Sequence, residues 1–366
     1  MQGAVPVGEG GAGGAVPEQA EVLLGAARAR VDPELRRAIG SLPAAMRRVA
    51  RHHFGWSDGQ DAVPVPRRPA GPPPGAPPGR AGKAVRPALV LAATEALGGR
   101  PETAVRAAAA VELTHNFTLL HDDVMDRDTT RRHRPTAWTV FGDADAILAG
   151  DALQALAQRL LADDPHPAGP AAVAQLAHCV VELCEGQQAD TALERRAPAE
   201  VTLDECLAMA EAKTGALLGC ACALGARYAG AGPGAVAAMD AFGREAGLAF
   251  QLIDDIIGIW GDPARTGKAA GADLLARKKS LPVVAALTSG TAAGAELAVL
   301  YARPPGEGEL PALVSAVERA GGRDWAQAQA ADRMSRAVQD LSRAVPEPGA
   351  AEGLLALAEF VTRRSA

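Results

Sequence analysis

Apolar residues in this chain recur at spacings of three and four over long stretches: Thr103 to Met125, Leu203 to Tyr228, Ala235 to Trp260, Asp324 to Val345 and Ala350 to Arg363. That is the period of helices with one face turned to a core, and runs of the aromatic and β-branched residues that favour strands are almost absent. The expected fold class is therefore all-α. Breaks fall at Gly230 to Gly234 and at Pro304-Pro305, where glycine and proline interrupt the pattern. With 366 residues, 48% of them hydrophobic, the chain can bury one large core without needing a second domain.

Two segments stand apart from that pattern. Residues 1–17 are Gly-rich and poor in bulky apolar side chains, so they read as a disordered tail that cannot repay the entropy of ordering. Residues 18–366 then form a single helical domain, with Asp32-Pro33 read as the start signal of a helix from Glu34 to His53. Residues 63–82 contain PPPGAPPG, lack periodicity and read as a Pro-rich loop beside a substrate entrance. The N-terminus is acidic rather than basic and apolar, unlike a signal peptide, and no uncharged apolar run is expected to reach membrane-spanning length, so stable membrane insertion is not expected. A net charge of -6 argues against a broad nucleic-acid surface. Five cysteines, odd in number and without a CxxC pair, read as buried free thiols in a reducing cytoplasm.

The chemistry concentrates in two acidic clusters, each at the end of an apolar helical stretch. In Leu119-Leu120-His121-Asp122-Asp123-Val124-Met125-Asp126, the first and last aspartates are four apart and share one helix face. Like charges at that spacing repel, and the macrodipole disfavours anions near a helix C-terminus, so the arrangement is costly unless cations occupy it. Magnesium suits it: the ion takes oxygen ligands, binds through one or two carboxylates and completes its shell with water and phosphate. The second cluster is Gln251-Leu252-Ile253-Asp254-Asp255-Ile256-Ile257-Gly258. Two such helices face to face could hold metals on opposite sides of one diphosphate.

In order and spacing, these clusters and the basic residues around them resemble the trans-isoprenyl diphosphate synthase family, from Gly82 to about Pro282. Gly82-Lys83-x-x-Arg86-Pro87 is similar to the family's entry motif. The resemblance implies that Lys83, Arg86, His115 and Arg132 hold the diphosphate of isopentenyl diphosphate. Asp122 to Asp126 match the DDxxD motif, followed by the pair Arg131-Arg132, of which Arg131 is expected to contact the allylic diphosphate. Gly186-Gln187-x-x-Asp190, Lys213-Thr214, the Gln251 that precedes Asp254-Asp255, Gly267-Lys268 and Lys278-Lys279-Ser280 resemble the remaining motifs. The implied fold is the isoprenoid synthase helical bundle around a central active-site cavity, usually as a homodimer. The implied metal ligands are Asp122, Asp123, Asp126, Asp254 and Asp255, holding three magnesium ions. Lys213, Lys268 and Lys278 would share the load with Arg131, and Thr214 and Gln251 would bind substrate.

One departure is plain: Gly258 stands where the family commonly has an aspartate, and Asp262 further along is the candidate to restore that charge. Phe117 five positions before Asp122, with Thr118 four before it, resembles the arrangement that forms C20 geranylgeranyl diphosphate. Other readings stay open on the sequence: a C15 or C25 synthase of the same family, a class I terpene cyclase, or a non-catalytic subunit of a heteromeric synthase. An aromatic content of 3% argues against a cation-steering cyclase cavity.

Overall fold

The computed structural model describes residues 12–56, 84–132, 134–262, 270–303, 306 and 308–362. The first eleven residues of the Gly-rich tail, the Pro-rich loop at 63–82, Lys83, Gly267, Lys268 and Pro304-Pro305 lie outside the described residues.

The architecture is helical throughout. In chain order the helices are α1 (Ala12–Gly40), α2 (Ala44–Phe54), α3 (Val85–Ala96), α4 (Val105–Met125), α5 (Ala137–Phe141), α6 (Asp143–Ala162), α7 (Gly169–Arg195) and α8 (Leu203–Ala210). They continue as α9 (Ala216–Tyr228), α10 (Pro233–Trp260), α11 (Ala272–Leu275), α12 (Leu281–Leu287), α13 (Ala292–Tyr301), α14 (Leu310–Arg319), α15 (Gly322–Ala344) and α16 (Pro348–Thr362). Among the described residues, strand is confined to a small hairpin after α4, in which β1 (Thr130–Arg131) pairs antiparallel with β2 (Arg134–Pro135).

α9 is the centre of the molecule. Every residue from Ala216 to Ala226 is buried, as a helix apolar on all sides must be. α3, α10, α7 and α4 pack around it, and α10 lies also against α15. A π-helical turn, Glu211–Gly215, joins α8 to α9 without a break. The combined run Leu203–Tyr228 is long and apolar enough to cross a membrane, contrary to the expectation of no such run, and most of it is enclosed by the other helices.

Two further expectations change. α1 runs through Asp32-Pro33 instead of starting there, and it begins at Ala12, inside the segment assigned to the tail. Its buried stripe of Leu24, Ala27, Val31, Leu35 and Ile39 continues on both sides of Pro33. An interior proline costs roughly 3 kcal/mol, and burial of several such side chains at about 1.5–3 kcal/mol each outweighs it. The break comes instead at Ser41-Leu42-Pro43, ahead of α2. Of the five free cysteines, Cys184 is exposed on α7, because its position turns away from the buried stripe of Cys179, Leu183 and Gly186.

Candidate active site

The two acidic clusters sit at the C-terminal ends of α4 and α10, and each Asp-Asp pair splits in the same way. On α4, Asp123 is 1% exposed and turned into the protein, where its Oδ1 accepts a hydrogen bond from Arg131 Nε at 2.7 Å. The hairpin β1–β2 folds Arg131 back to make that contact. Asp122 and Asp126 lie on the other face of the last turn. Burial, with repulsion from Asp126, pushes the Asp122 carboxyl up to about 6 against the pull of Lys213, and burial raises Asp126 as well. Neither carboxylate is hydrogen-bonded among the described residues. On α10, Asp255 is 4% exposed and accepts from Leu281 N–H at 2.9 Å and from Gln251 Nε2 at 2.8 Å. It thereby caps the first turn of α12, where an anion is favoured. Asp254, its neighbour, is exposed.

Basic groups stand between the clusters. Lys213, in the π-helical turn, holds its Nζ 2.6 Å from Asp190 Oδ2 on α7. Burial pulls the lysine's pKa down, but the charges of Asp190 and Asp122 outweigh it and raise it overall. Lys278 lies 3.8 Å from Asp255 and also within electrostatic reach of Asp190, Asp254 and Asp126; Asp255 above all drives its pKa well upward. The π turn is a common feature of functional sites, and here it aims Lys213 and Thr214 together. A Cβ on Gly186 would come within 2.5 Å of Lys213 N, so only glycine lets α7 approach the turn this closely. Thr214 Oγ1 donates to Gln251 Oε1 at 2.8 Å, continuing through Gln251 to Asp255. Thr214 and Gln251 thus brace the site from behind. Gln187 donates to Met125 Sδ at 3.8 Å, tying α7 to the end of α4.

A second basic pocket opens under the first turn of α3. Burial lowers Arg86 to about 10, and its Nε has no hydrogen-bond partner, which leaves a buried donor ready for an anion. Glu112, 8% exposed on α4, stands within the field of both Arg86 and Arg132. Arg132 occupies the hairpin turn at φ 51°, a left-handed conformation costly for arginine and frequent at functional sites. Burial, then Arg86 and Arg132, holds the His115 imidazole well below its usual pKa, so it is neutral. Behind it, His53 Nε2 is 3.1 Å from Asn116 Oδ1, and Asn116 Nδ2 donates to Glu112 Oε1 at 3.1 Å. Burial, with Arg132, pushes His53 down to about 3. Sequence reasoning assigned no role to His53, Asn116 or Glu112. Glu112 had a readable signal, a charge in the buried phase of an apolar helix, whereas His53 is joined to the site only by the packing of α2.

The remaining motif residues lie around these pockets. Lys279 donates its Nζ to Glu194 O at 2.9 Å and is turned out of the cleft, and Ser280 is buried. Phe117 is 9% exposed, its ring edge-on to His121 with centroids 4.8 Å apart, and Thr118 Oγ1 donates to His115 O at 2.8 Å. The carboxylate facing Gly258 is Asp273, not Asp262: a Cβ there would lie 2.2 Å from Asp273 Oδ2. Among the described residues no three side chains form a preformed metal cage. The chemistry of Asp122, Asp126 and exposed Asp254 fits a hard cation that brings water and phosphate oxygens as its other ligands.

The polyprenyl synthetase family model matches residues 78–317. The chain is 43% identical over 350 residues to the (2E,6E)-farnesyl diphosphate synthase of Mycobacterium tuberculosis (strain ATCC 25618 / H37Rv), covering 94% of this chain and 93% of that one. It is 44% identical over 355 residues to the geranylgeranyl diphosphate synthase of the same strain, covering 96% of each. The crystal structure of polyprenyl synthetase from Streptomyces coelicolor A3(2) superposes with a TM-score of 0.84 at 42% identity, over 93% of this chain and 99% of that one. Two acidic helix ends facing a pair of basic pockets on an all-helical frame, matched along nearly the whole chain, make this protein a member of the polyprenyl synthetase family and a chain-elongating trans-prenyltransferase.

Proposed function

We propose that the enzyme condenses isopentenyl diphosphate with an allylic diphosphate in the cleft between the two acidic clusters, and that its main product is geranylgeranyl diphosphate (C20). The observation that carries the catalytic reading is the splitting of each aspartate pair. Asp123 and Asp255 are engaged inside the protein, whereas Asp122 and Asp126 carry no hydrogen bond among the described residues and Asp254 is exposed at the end of α10. Asp122, Asp126 and Asp254 would hold magnesium, three ions by family resemblance, and the bound metal would supply Lewis-acid neutralisation of the departing pyrophosphate.

The chain's own residues do the rest. Lys213 and Lys278 present ammonium groups to the leaving group, and Arg131, fixed by Asp123, adds a guanidinium at the same side. Lys268 joins them in this reading. Isopentenyl diphosphate occupies the second pocket, held by Arg86, Arg132, neutral His115 and Lys83. The orphaned Arg86 Nε gains its partner from a phosphate oxygen. The allylic C–O bond breaks, the double bond of isopentenyl diphosphate attacks the cationic carbon, and pyrophosphate takes the proton, so no protein base is required.

The C20 assignment rests on Phe117 and Thr118. A chain growing from Asp122 down α4 meets these residues one turn earlier, the large side chain one residue deeper than the small one. The same reading makes the enzyme a cytoplasmic homodimer, supported by its five free thiols and by the exposed Ile147, Leu148 and Val181 on the packed helices α6 and α7. The test is to incubate purified protein with magnesium, isopentenyl diphosphate and allylic diphosphates of several lengths, and to size the products. A C20 product that vanishes in excess chelator is expected; full activity without divalent metal would overturn the metal reading, and a C15 product the chain-length one.

A further inference from the structure

Arg277 stands directly before Lys278, whose ammonium lies 3.8 Å from Asp255 and 3.9 Å from Asp273. Its φ is 57°, in the left-handed region that glycine occupies freely and arginine does not. The residue closes α11. Arg277 N–H donates to Leu274 O at 3.1 Å and Lys278 N–H to Asp273 O at 2.9 Å, the pair of bonds that ends a helix when the residue after the cap is left-handed. Glycine is the usual occupant of that position. The arginine side chain adds a second cost: Nε, Nη1 and Nη2 are all buried, and none makes a hydrogen bond among the described residues. Its contact is instead the ring of Tyr301, with the guanidinium carbon 4.8 Å from the ring centroid. Tyr301 is 5% exposed at the end of α13 and packs in the apolar cluster with Leu274 and Leu297. Its hydroxyl donates to Lys278 O at 3.4 Å. One tyrosine therefore touches both the residue that turns the chain and the carbonyl of the lysine that follows.

We infer that Arg277 and Tyr301 form a clamp that sets the direction in which Lys278 presents its ammonium to the diphosphate. Both are positioning residues. The left-handed turn at Arg277 reverses the chain after α11, and the stack of guanidinium on ring holds that turn against α13. The Lys278 backbone is then fixed on both sides of its Cα, its N–H by Asp273 O and its carbonyl by the Tyr301 hydroxyl. Strain of this kind persists only where the surroundings hold it, and it collects beside groups that bind substrate. The inference rests on the proposed contact of Lys278 with the leaving group.

Arg277→Gly, Tyr301→Phe and the double variant test it. Acetylation of Lys278 by acetic anhydride is followed by mass spectrometry, with Lys279, whose Nζ is turned out of the cleft, as the internal reference. Melting temperature and the affinity for inorganic pyrophosphate with magnesium are measured alongside. Glycine suits the left-handed turn, so Arg277→Gly is expected to melt at or near the wild-type temperature. Its Lys278, no longer held between the two carboxylates, is expected to acetylate several-fold faster. Pyrophosphate should bind about 10-fold more weakly, close to the loss of one charged hydrogen bond. Tyr301→Phe keeps the ring and should show a smaller change of the same sign. The double variant should be no worse than Arg277→Gly, because the two residues act through one another. Wild-type acetylation or wild-type pyrophosphate affinity in Arg277→Gly would overturn the inference. So would slower acetylation, which simple loss of a neighbouring positive charge predicts, or full additivity in the double variant. Should Arg277→Gly melt far below wild type, Tyr301→Phe decides, and unchanged acetylation there would overturn the clamp. If wild-type Lys278 acetylates equally fast with and without magnesium and pyrophosphate, its contact with the leaving group fails, and the acetylation comparison still decides the clamp.

Discussion

Replacing Asp122 with Asn should stabilise the metal-free protein at neutral pH while abolishing its chemistry. Burial and the charge of Asp126 raise the Asp122 carboxyl from 3.8 to about 6. Two pH units correspond to about 3 kcal/mol at about 1.36 kcal/mol each. Because the folded-state value is the higher one, protonated Asp122 contributes that stability below about pH 4, and the contribution disappears as pH rises through 6. At pH 8 the metal-free protein therefore carries an ionised carboxylate in an unfavourable place, and Asp122→Asn removes the ionisation. An unfolding entropy of about 2.1 cal/mol/K per residue gives roughly 0.8 kcal/mol/K for this chain, so the variant should melt up to about 4 °C above wild type. The measurement is calorimetry at pH 4 and pH 8, in chelator and again with magnesium and pyrophosphate. The advantage should shrink to nothing at pH 4 and reverse when metal and pyrophosphate are added, since only wild type gains their binding energy. Turnover should fall by about 10²-fold or more, as when a single preorganised electrostatic group is deleted. A variant less stable than wild type at pH 8 in chelator, or a difference independent of pH, would refute the picture of a strained, cation-hungry carboxylate.

Other perturbations address the remaining parts of the site. Arg86→Ala should raise the KM for isopentenyl diphosphate by roughly 10–100-fold, matching about 1.5–3 kcal/mol for a charged hydrogen bond, and leave the KM for the allylic substrate nearly unchanged; the opposite pattern would misplace the second pocket. Phe117→Ala should shift products to C25 or longer and Thr118→Phe should shorten them towards C15, read by chromatography of the dephosphorylated alcohols, and an unchanged profile in Phe117→Ala would remove that ring as the floor. Gly186→Ala puts a methyl group 2.5 Å from Lys213 N, so it should cost about 1–3 kcal/mol by denaturant melt and depress kcat by displacing the ammonium. Normal kcat in that variant would show that the π turn tolerates movement.

Much of this molecule is legible in its residues one at a time. Helical period fixes α4, the continuous run of α8, π turn and α9, and α10, α15 and α16 to within a few residues, because each buries a stripe or a whole surface that no strand could present. Asp32-Pro33 reads locally as a helix start, because local propensity says nothing of the helices α3, α4 and α16, whose packing along α1 offsets the cost of an interior proline. Glu112 was readable as a buried charge in need of partners, and Asn116 stands one turn from it on α4, but His53 reaches Asn116 only through the docking of α2.

The sequence by itself determined the helical class, the order of the acidic and basic motifs and the four-residue spacing that puts Asp122 and Asp126 on one face. Which carboxylates look into the cleft was decided by tertiary structure. Neighbours on a helix point about 100° apart, so the two members of each Asp-Asp pair look in different directions, and the docking of Arg131 and of the α12 N-terminus engages Asp123 and Asp255. The same holds for Asp273. Its carboxylate comes to rest over Gly258 because buried Leu274 anchors α11 against the apolar cluster, a long-range contact that no local spacing encodes.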